Sequence, residues 1–222
     1  MVAGSPPNPT PIYRLVHVDN LAWILQRGCL DAPNHTAPGA PPYHSIAHAN
    51  SQGRRALRPI TKGPGGVLHD YIPFYFNPRS PMLYANHMRN VAANPHGQGV
   101  IVILKSTVQL TAQNGCSFVF TDGHGVMAPL TTFYDDLAAL PKVPWDVIAR
   151  TYWHKGPGGV RDPDGSRKRQ AEFMVHQSFP WDLVEDIGVL DQTLAARAQA
   201  HLAAAPATVH QPPVTIRRSW YF

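Results

Sequence analysis

The alternation of apolar and polar positions divides the chain into short strands and short helices. "IYRLVHV", from Ile12 to Val18, reads as a strand. Asp19 then has the residue type of a helix N-cap, and the spacing of Leu21, Ile24 and Leu25 predicts a short helix that stops at Gly28. Residues 31–45 are rich in Pro, His and Asn and read as loop, while "IAHANSQGRRAL" has helical character that Gly53 weakens. "LHDYIPFYF" predicts a strand with aromatic side chains on both faces, and Pro73 assigns it to an edge or a bulge because proline cannot donate to a ladder. "GVIVILK" is a continuous β-branched run suited to a buried strand, and "CSFVFTD" predicts another. "TTFYDDLAAL" and "PWDVIARTYW" carry helical periodicity, the second opened by Pro144. A turn of helix at "PWDLVED", a strand at "IGVL", an alanine-rich helix over Gln192 to Ala204 and a terminal strand "VTIRRSWYF" complete the chain. Short strands mixed with short helices, without regular βαβ alternation, predict an α+β fold.

One strand carries an anomaly. In "RKRQAEFMV", Gln170, Glu172 and Met174 alternate with Ala171, Phe173 and Val175, the period of a strand with one apolar face. Glutamate is a poor strand former. The chain holds only two glutamates against twelve aspartates, so Glu172 is not generic surface filler. It is either an edge carboxylate paired with Arg169 or Lys168, or a functional group.

Composition narrows the class. A chain of 222 residues with 44% apolar content can bury a real core and is expected to form one domain over residues 1–222. No run approaches the ~20 apolar residues of a membrane span. The start "MVAGSPPNPTP" lacks the apolar centre of a secretion signal, so a cytoplasmic location is expected. Cys29 and Cys116 are too few for a disulfide framework and are expected as reduced thiols without a functional role.

The net charge of +5 is moderate, so its placement matters more than its sum. Arg54, Arg55, Arg58 and Lys62 lie in a stretch without acids. Arg150, Lys155, Arg161, Arg167, Lys168 and Arg169 have only Asp162 and Asp164 nearby, and Tyr152, Trp153 and His154 are interleaved with them. Aromatic rings among cations suit a single-stranded nucleic acid; a solvated basic face has the same composition. "KGPGGV" occurs at Lys62 to Val67 and again at Lys155 to Val160, but the flanks differ, which indicates two Gly/Pro loops and no duplication. Neither has the ending of a Walker loop, and GxSxG and GxGxxG are absent. Among twelve histidines only His44 and His48 have helical spacing, with no HExxH or Cys/His pairing beside them, so no metal is expected.

The segments "PTPIYRLVHVDNLAWIL", "SIAHANSQGRRALRPI", "GGVLHDYIPFYFNPRSPMLY", "FVFTDGHGV", "QAEFMV" and "SWYF", in this order, resemble the DarT-type DNA ADP-ribosyltransferases, toxins of toxin–antitoxin pairs. The resemblance covers nearly the whole chain. It implies an ADP-ribosyltransferase fold, two small packed β-sheets flanked by short helices, with a cleft for NAD and transfer of ADP-ribose to a base of single-stranded DNA, thymine being the expected base. It implies Glu172 as the catalytic carboxylate that supports the developing charge on the ribose, and Arg55 as its partner, holding the NAD pyrophosphate or the acceptor. Arg54 is the neighbouring rival. Tyr13, Arg14, His17, Arg55 and Tyr75 are implied for NAD, and Arg79, Met82, His124, Tyr152 and Trp153 for DNA. His17 serves NAD or caps local structure, and Tyr152 and Trp153 stack on bases or belong to the core of a helix end. The loop from Lys155 to Arg169 reads as a mobile, phosphate-seeking lid. Arg14 and Val16 depart from the family, which has histidine and threonine there. The resemblance also implies a cognate antitoxin, a macrodomain-type ADP-ribosyl hydrolase, and a monomer without metal. The alternatives are transfer to guanine or to RNA, and a non-catalytic single-strand-binding protein.

Overall fold

The computed structural model describes residues 4–222; Met1 to Ala3, at the head of the proline-rich start, lie outside them. Strand β1 (Pro11–His17) passes through a 3-10 turn into α1 (Leu21–Arg27), which ends where Gly28 turns left-handed at φ 67°. Strand β2 (Cys29–Asp31) and a long irregular stretch lead to α2 (Ala49–Leu57). Strand β3 (Tyr71–Tyr75) and α3 (Pro81–His87) precede β4 (Ile101–Thr107), α4 (Val108–Gln113), β5 (Phe118–Thr121) and the two-residue β6 (Phe133–Tyr134). The chain continues through α5 (Trp145–Ala149), α6 (Gly165–Arg169), β7 (Glu172–His176) and β8 (Ser178–Pro180). Strand β9 (Asp186–Val189), α7 (Gln192–Ala204) and β10 (Val214–Ile216) close it.

The large sheet has the order β10-β9-β4-β1-β3-β7-β5-β6, and β2 with β8 forms a separate ribbon. β1 pairs with β4 over seven residue pairs and β3 with β7 over five, but β1 meets β3 only at Tyr13 and Tyr75. The expected two small sheets are therefore two four-stranded halves joined at one bridge. Each half buries its own residues: Ile101 to Leu104 on β4 and Phe173 to Val175 on β7 are all at most 1% exposed. The backbone groups freed along the open seam need other partners. The Arg14 guanidinium supplies one, donating from Nη1 to the Pro73 carbonyl at 3.1 Å. That carbonyl faces the unpaired side, so proline's missing N–H breaks no ladder bond. β3 is an interior strand, and the edge that Pro73 predicted is the seam beside it.

Three local expectations change in the same way, through long-range partners. Asp19 does not cap α1; its carboxylate takes a hydrogen bond of 2.7 Å from Arg197 on α7, and His17 Nδ1 receives the Asp19 N–H at 3.2 Å. "TTFYDDLAAL" is β6 followed by a 3-10 turn, because Phe133 and Tyr134 pair with β5 and Asp136 caps a segment interrupted by Pro141. β7 is interior, between β3 and β5, with both faces buried, so Glu172 is no edge carboxylate.

The basic lid also reads differently in three dimensions. Arg169 is 2% exposed and donates to the main-chain carbonyls of Arg79, Val147, Ile148 and Arg150. Arg150 pairs with Asp146 and Asp162, Arg167 with Asp164 and Asp122, and Lys168 with Asp164. The fold brings Asp122 to Arg167 from across the chain, and Asp146, four residues before Arg150, is a local acid that the count along the sequence left out. Burial, with Arg79 nearby, lowers the Arg169 pKa to about 10, which leaves it charged at neutral pH. It is an internal clamp that ends α5 by taking its last carbonyls, and it is not a phosphate ligand. Arg169→Ala strands these acceptors at about 1–3 kcal/mol each, so a loss of several kcal/mol is expected in urea unfolding. Lys168→Ala is expected to stay within about 0.5 kcal/mol of the parent.

Candidate active site

The seam between β1 and β3 opens into a cavity of about 650 Å³, inside the ~300–1,000 Å³ range of small-molecule sites. Arg14, Arg55, Tyr75, Met82, His124 and Glu172 all border it. Six residues, each from a different strand, helix or loop, thus meet at one place.

Glu172 opens β7 opposite Tyr75 on β3 and is 1% exposed. Its partner comes from α2: Arg55, 6% exposed, sets Nη1 at 2.9 Å from Oε1 and 3.0 Å from Oε2. The same guanidinium turns Nη2 toward the Met174 sulfur at 3.9 Å, a weak acceptor that leaves it free to bind a ligand oxygen. Consecutive helix residues point about 100° apart, and Arg54 accordingly leaves the site, donating to the Val126 carbonyl at 3.1 Å.

The head of β7 is held from the next strand. Glu172 N–H donates to Thr121 Oγ1 at 3.0 Å, and that hydroxyl donates to the Gly123 carbonyl at 2.7 Å. The loop that follows carries His124 and then Gly125 across the carboxylate. A Cβ on Gly125 would stand 3.1 Å from Glu172 Oε2 and 3.3 Å from Leu68, so a larger residue here would have to push the carboxylate or Leu68 aside.

Burial is the largest influence on His124 and lowers its pKa; Glu172 acts in the opposite sense and Arg55 in the same one. Burial, then Glu172, raises the Tyr75 pKa well above the ordinary tyrosine value. Both are neutral at pH 7, which leaves the Glu172–Arg55 pair and Arg14 as the charges among the six. His17, His69 and His176 are also lowered, in each case first by burial. For all four the unfolded chain takes up its proton near pH 6.5 and the folded chain only at lower pH. The folded state is then expected to lose stability as pH falls through about 6.5 toward the lowered values. Urea midpoints between pH 8 and pH 5 read this directly; His124→Asn should flatten part of the slope.

Arg14 lies at the cavity wall with its Nε buried, a donor facing no acceptor among the described residues. Val16 is fully buried in the main core, where a hydroxyl would need a partner. Tyr13 points elsewhere and packs edge-on against Trp220 at 5.1 Å. His17 caps the 3-10 turn and stacks on His44 at 4.8 Å. Arg79 lies over the Phe222 ring, Tyr152 is an exposed side chain and Trp153 is half-buried; none of the three borders the cavity.

Sequence reasoning missed Trp23, Tyr43, His48, Gln52 and Gln170, which also line the cavity. A signal existed for two of them: His48, Gln52 and Arg55 recur at helical spacing, so one face of α2 and its N-cap looks into the cavity. Buried Asn20 adds a device with no sequence signature. It exchanges two hydrogen bonds of 3.0 Å with the His44 backbone and ties the irregular stretch before α2 to the start of α1. Cys29 borders the cavity as a free thiol. Among the described residues no group of three or more His, Cys, Asp or Glu is placed to hold a metal ion, and no helix is long and apolar enough to cross a membrane.

Comparison with known proteins points in one direction. Residues 13–222 match the family model described as "DarT: ssDNA thymidine ADP-ribosyltransferase". The chain is 41% identical over 216 residues to a DNA ADP-ribosyl transferase of Thermus sp. (strain 2.9), covering 97% of this chain and 98% of the relative. It is 32% identical over 220 residues to one from Escherichia coli O127:H6, covering 99% and 97%. Among solved structures, Thermus sp. 2.9 DarT in complex with ADP-ribosylated ssDNA superposes with a TM-score of 0.89 at 40% identity, over 98% of this chain and 99% of that one. The same protein in complex with NAD+ gives 0.86 at 38% identity, over 98% and 100%.

Proposed function

This chain belongs to the DarT family and is an NAD-dependent enzyme that ADP-ribosylates single-stranded DNA; we propose that it acts as one catalytic domain on thymine, through Glu172 and Arg55. One observation carries the residue assignment: a fully buried carboxylate at the head of an interior strand, paired with a buried guanidinium at the wall of the main cavity.

NAD binds in the seam cavity as co-substrate. Breaking the bond between nicotinamide and ribose puts positive charge on the sugar, and a carboxylate already fixed beside it stabilises that charge without reorganising. Glu172 is fixed at both ends, by Thr121 through the main chain and by Arg55 through the carboxylate. Arg55 uses its remaining donors for the NAD pyrophosphate or the acceptor base. Arg14 offers its buried Nε to the adenosine ribose, where a neutral acceptor suffices. Tyr75 closes the wall between them. Met82 and His124 border the same cavity and meet the incoming nucleotide, with Arg79, Tyr152 and Trp153 further along the strand. As a toxin, the enzyme needs an antidote, and a macrodomain-type hydrolase that removes the base adduct fits this chemistry; the enzyme itself works as a monomer.

The test is mass spectrometry of homopolymeric and mixed oligonucleotides after incubation with NAD. Thymine-containing strands are expected to gain one ADP-ribose with release of nicotinamide. A guanine adduct, or transfer to RNA in its place, would overturn the base assignment. Binding of oligonucleotides without any nicotinamide release would overturn catalysis.

A further inference from the structure

Both acids at the cavity wall have a cation, but one arginine there has no acid. Glu172 is matched by Arg55, and Asp31 is engaged from outside the cavity by Arg27, whose Nε stands 3.3 Å from the carboxylate. Arg14 is left over. Among the described residues no carboxylate pairs with it, and its hydrogen bond runs from Nη1 to the Pro73 carbonyl at 3.1 Å.

That bond anchors one side of the guanidinium and leaves the other edge, Nε with Nη2, without an acceptor among the described residues. Such an edge is the planar fork that takes two oxygens of one anion. Leu15, Ile72, Pro73 and Tyr75 line the cavity from the same two strands, so the charge stands among largely apolar groups, where it is costly unless a ligand brings the counter-charge. A ribose hydroxyl brings none. A phosphate on that ribose brings both the oxygens and the charge, which is how an arginine beside an adenosine ribose accommodates the 2′-phosphate that distinguishes NADP from NAD.

We propose that Arg14 admits a second donor, NADP, from which the enzyme transfers 2′-phospho-ADP-ribose to DNA as it transfers ADP-ribose from NAD. This rests on the reading that sets Arg14 against the adenosine ribose. The added phosphate is at the far end of the dinucleotide from the reacting carbon, so the bonds made and broken are the same. The bond between ribose C1′ and the nicotinamide nitrogen breaks, nicotinamide leaves with the electron pair, and the acceptor atom of the base bonds to that carbon as its proton passes to solvent.

The experiment titrates NAD and NADP separately onto the protein without DNA, then runs single-turnover transfer to a thymine-containing oligonucleotide with each, read by mass spectrometry. In the wild type NADP is expected to bind within about tenfold of NAD and to leave an adduct one phosphate heavier. Arg14→Gln should raise the ratio of the NADP Kd to the NAD Kd about tenfold or more, and Arg14→Lys, which keeps the charge but not the fork, should recover part of it. Each ratio is taken within one variant, so a partial loss of folded protein cancels. NADP binding weaker than NAD by more than about tenfold in the wild type would overturn the proposal. So would an equal loss for both dinucleotides in Arg14→Gln, which puts the guanidinium on the pyrophosphate they share, or NADP that binds but leaves no adduct where NAD does. If neither dinucleotide supports transfer while the Kd ratio still depends on Arg14, the transferase reading fails and the phosphate site stands.

Discussion

Glu172→Gln is expected to lower the rate of ADP-ribose transfer by about 10²- to 10³-fold while the protein keeps its fold and most of its NAD affinity. The amide retains an acceptor for Arg55 Nη1 but carries no charge to oppose that on the ribose. Glu172→Ala goes further, because it leaves the Arg55 guanidinium buried without a counter-ion. Breaking a buried pair from one side costs about 3–5 kcal/mol, so the alanine variant should also unfold at markedly lower urea. Single-turnover transfer at saturating NAD and oligonucleotide separates the two effects, with NAD titration and unfolding run beside it. Transfer by Glu172→Gln at near the parent rate would remove this carboxylate from the chemistry.

The second large effect distinguishes two adjacent arginines. Arg55→Ala should lose about 10²-fold or more in transfer, and more in transfer than in NAD binding. It also strands Glu172 as a buried, unpaired carboxylate, so part of the loss will appear as instability. Arg55→Lys is the sharper test: lysine supplies a counter-ion for Glu172 but not a planar fork that reaches carboxylate and ligand together, so stability should return while transfer stays low. Arg54→Ala removes one bond to the Val126 carbonyl, worth about 1 kcal/mol, and should transfer near the parent rate. An active Arg55→Ala beside an inactive Arg54→Ala would reverse the assignment. Mild, equal losses in both would leave Glu172 without a functional partner.

These expectations depend on features of very different legibility. β4, β7, β9 and α7 were legible because their signals are local: a β-branched run, a period of two, a period of 3.6. The importance of Glu172 was also legible, since a glutamate in an apolar strand contradicts propensity unless a function needs it. Its burial was not, because period two was read as one apolar face, and the second is covered by α2 and the loop after β5, which bring Arg55 and Gly125 onto the carboxylate. The charge of the lid was misread for a related reason. Counting acids along the chain finds Asp162 and Asp164, but Asp122 lies across the fold from Arg167, and Arg169 spends its donors on main-chain carbonyls that have no sequence signature.

The sequence by itself determined the α+β class, most of the strands and helices, the family, and the pair Glu172 and Arg55 as the residues to examine. Only the tertiary structure decided that Arg55 rather than Arg54 meets the carboxylate, that one bridge at Tyr13 and Tyr75 leaves the seam open, and which side chains line it. The physical reason is the range of the interactions. Periodicity and capping act within a few residues and are written in order along the chain. The buried ion pair joins residues 117 apart, and the cavity is a gap between strands, so both exist only after packing has brought distant segments together and excluded water.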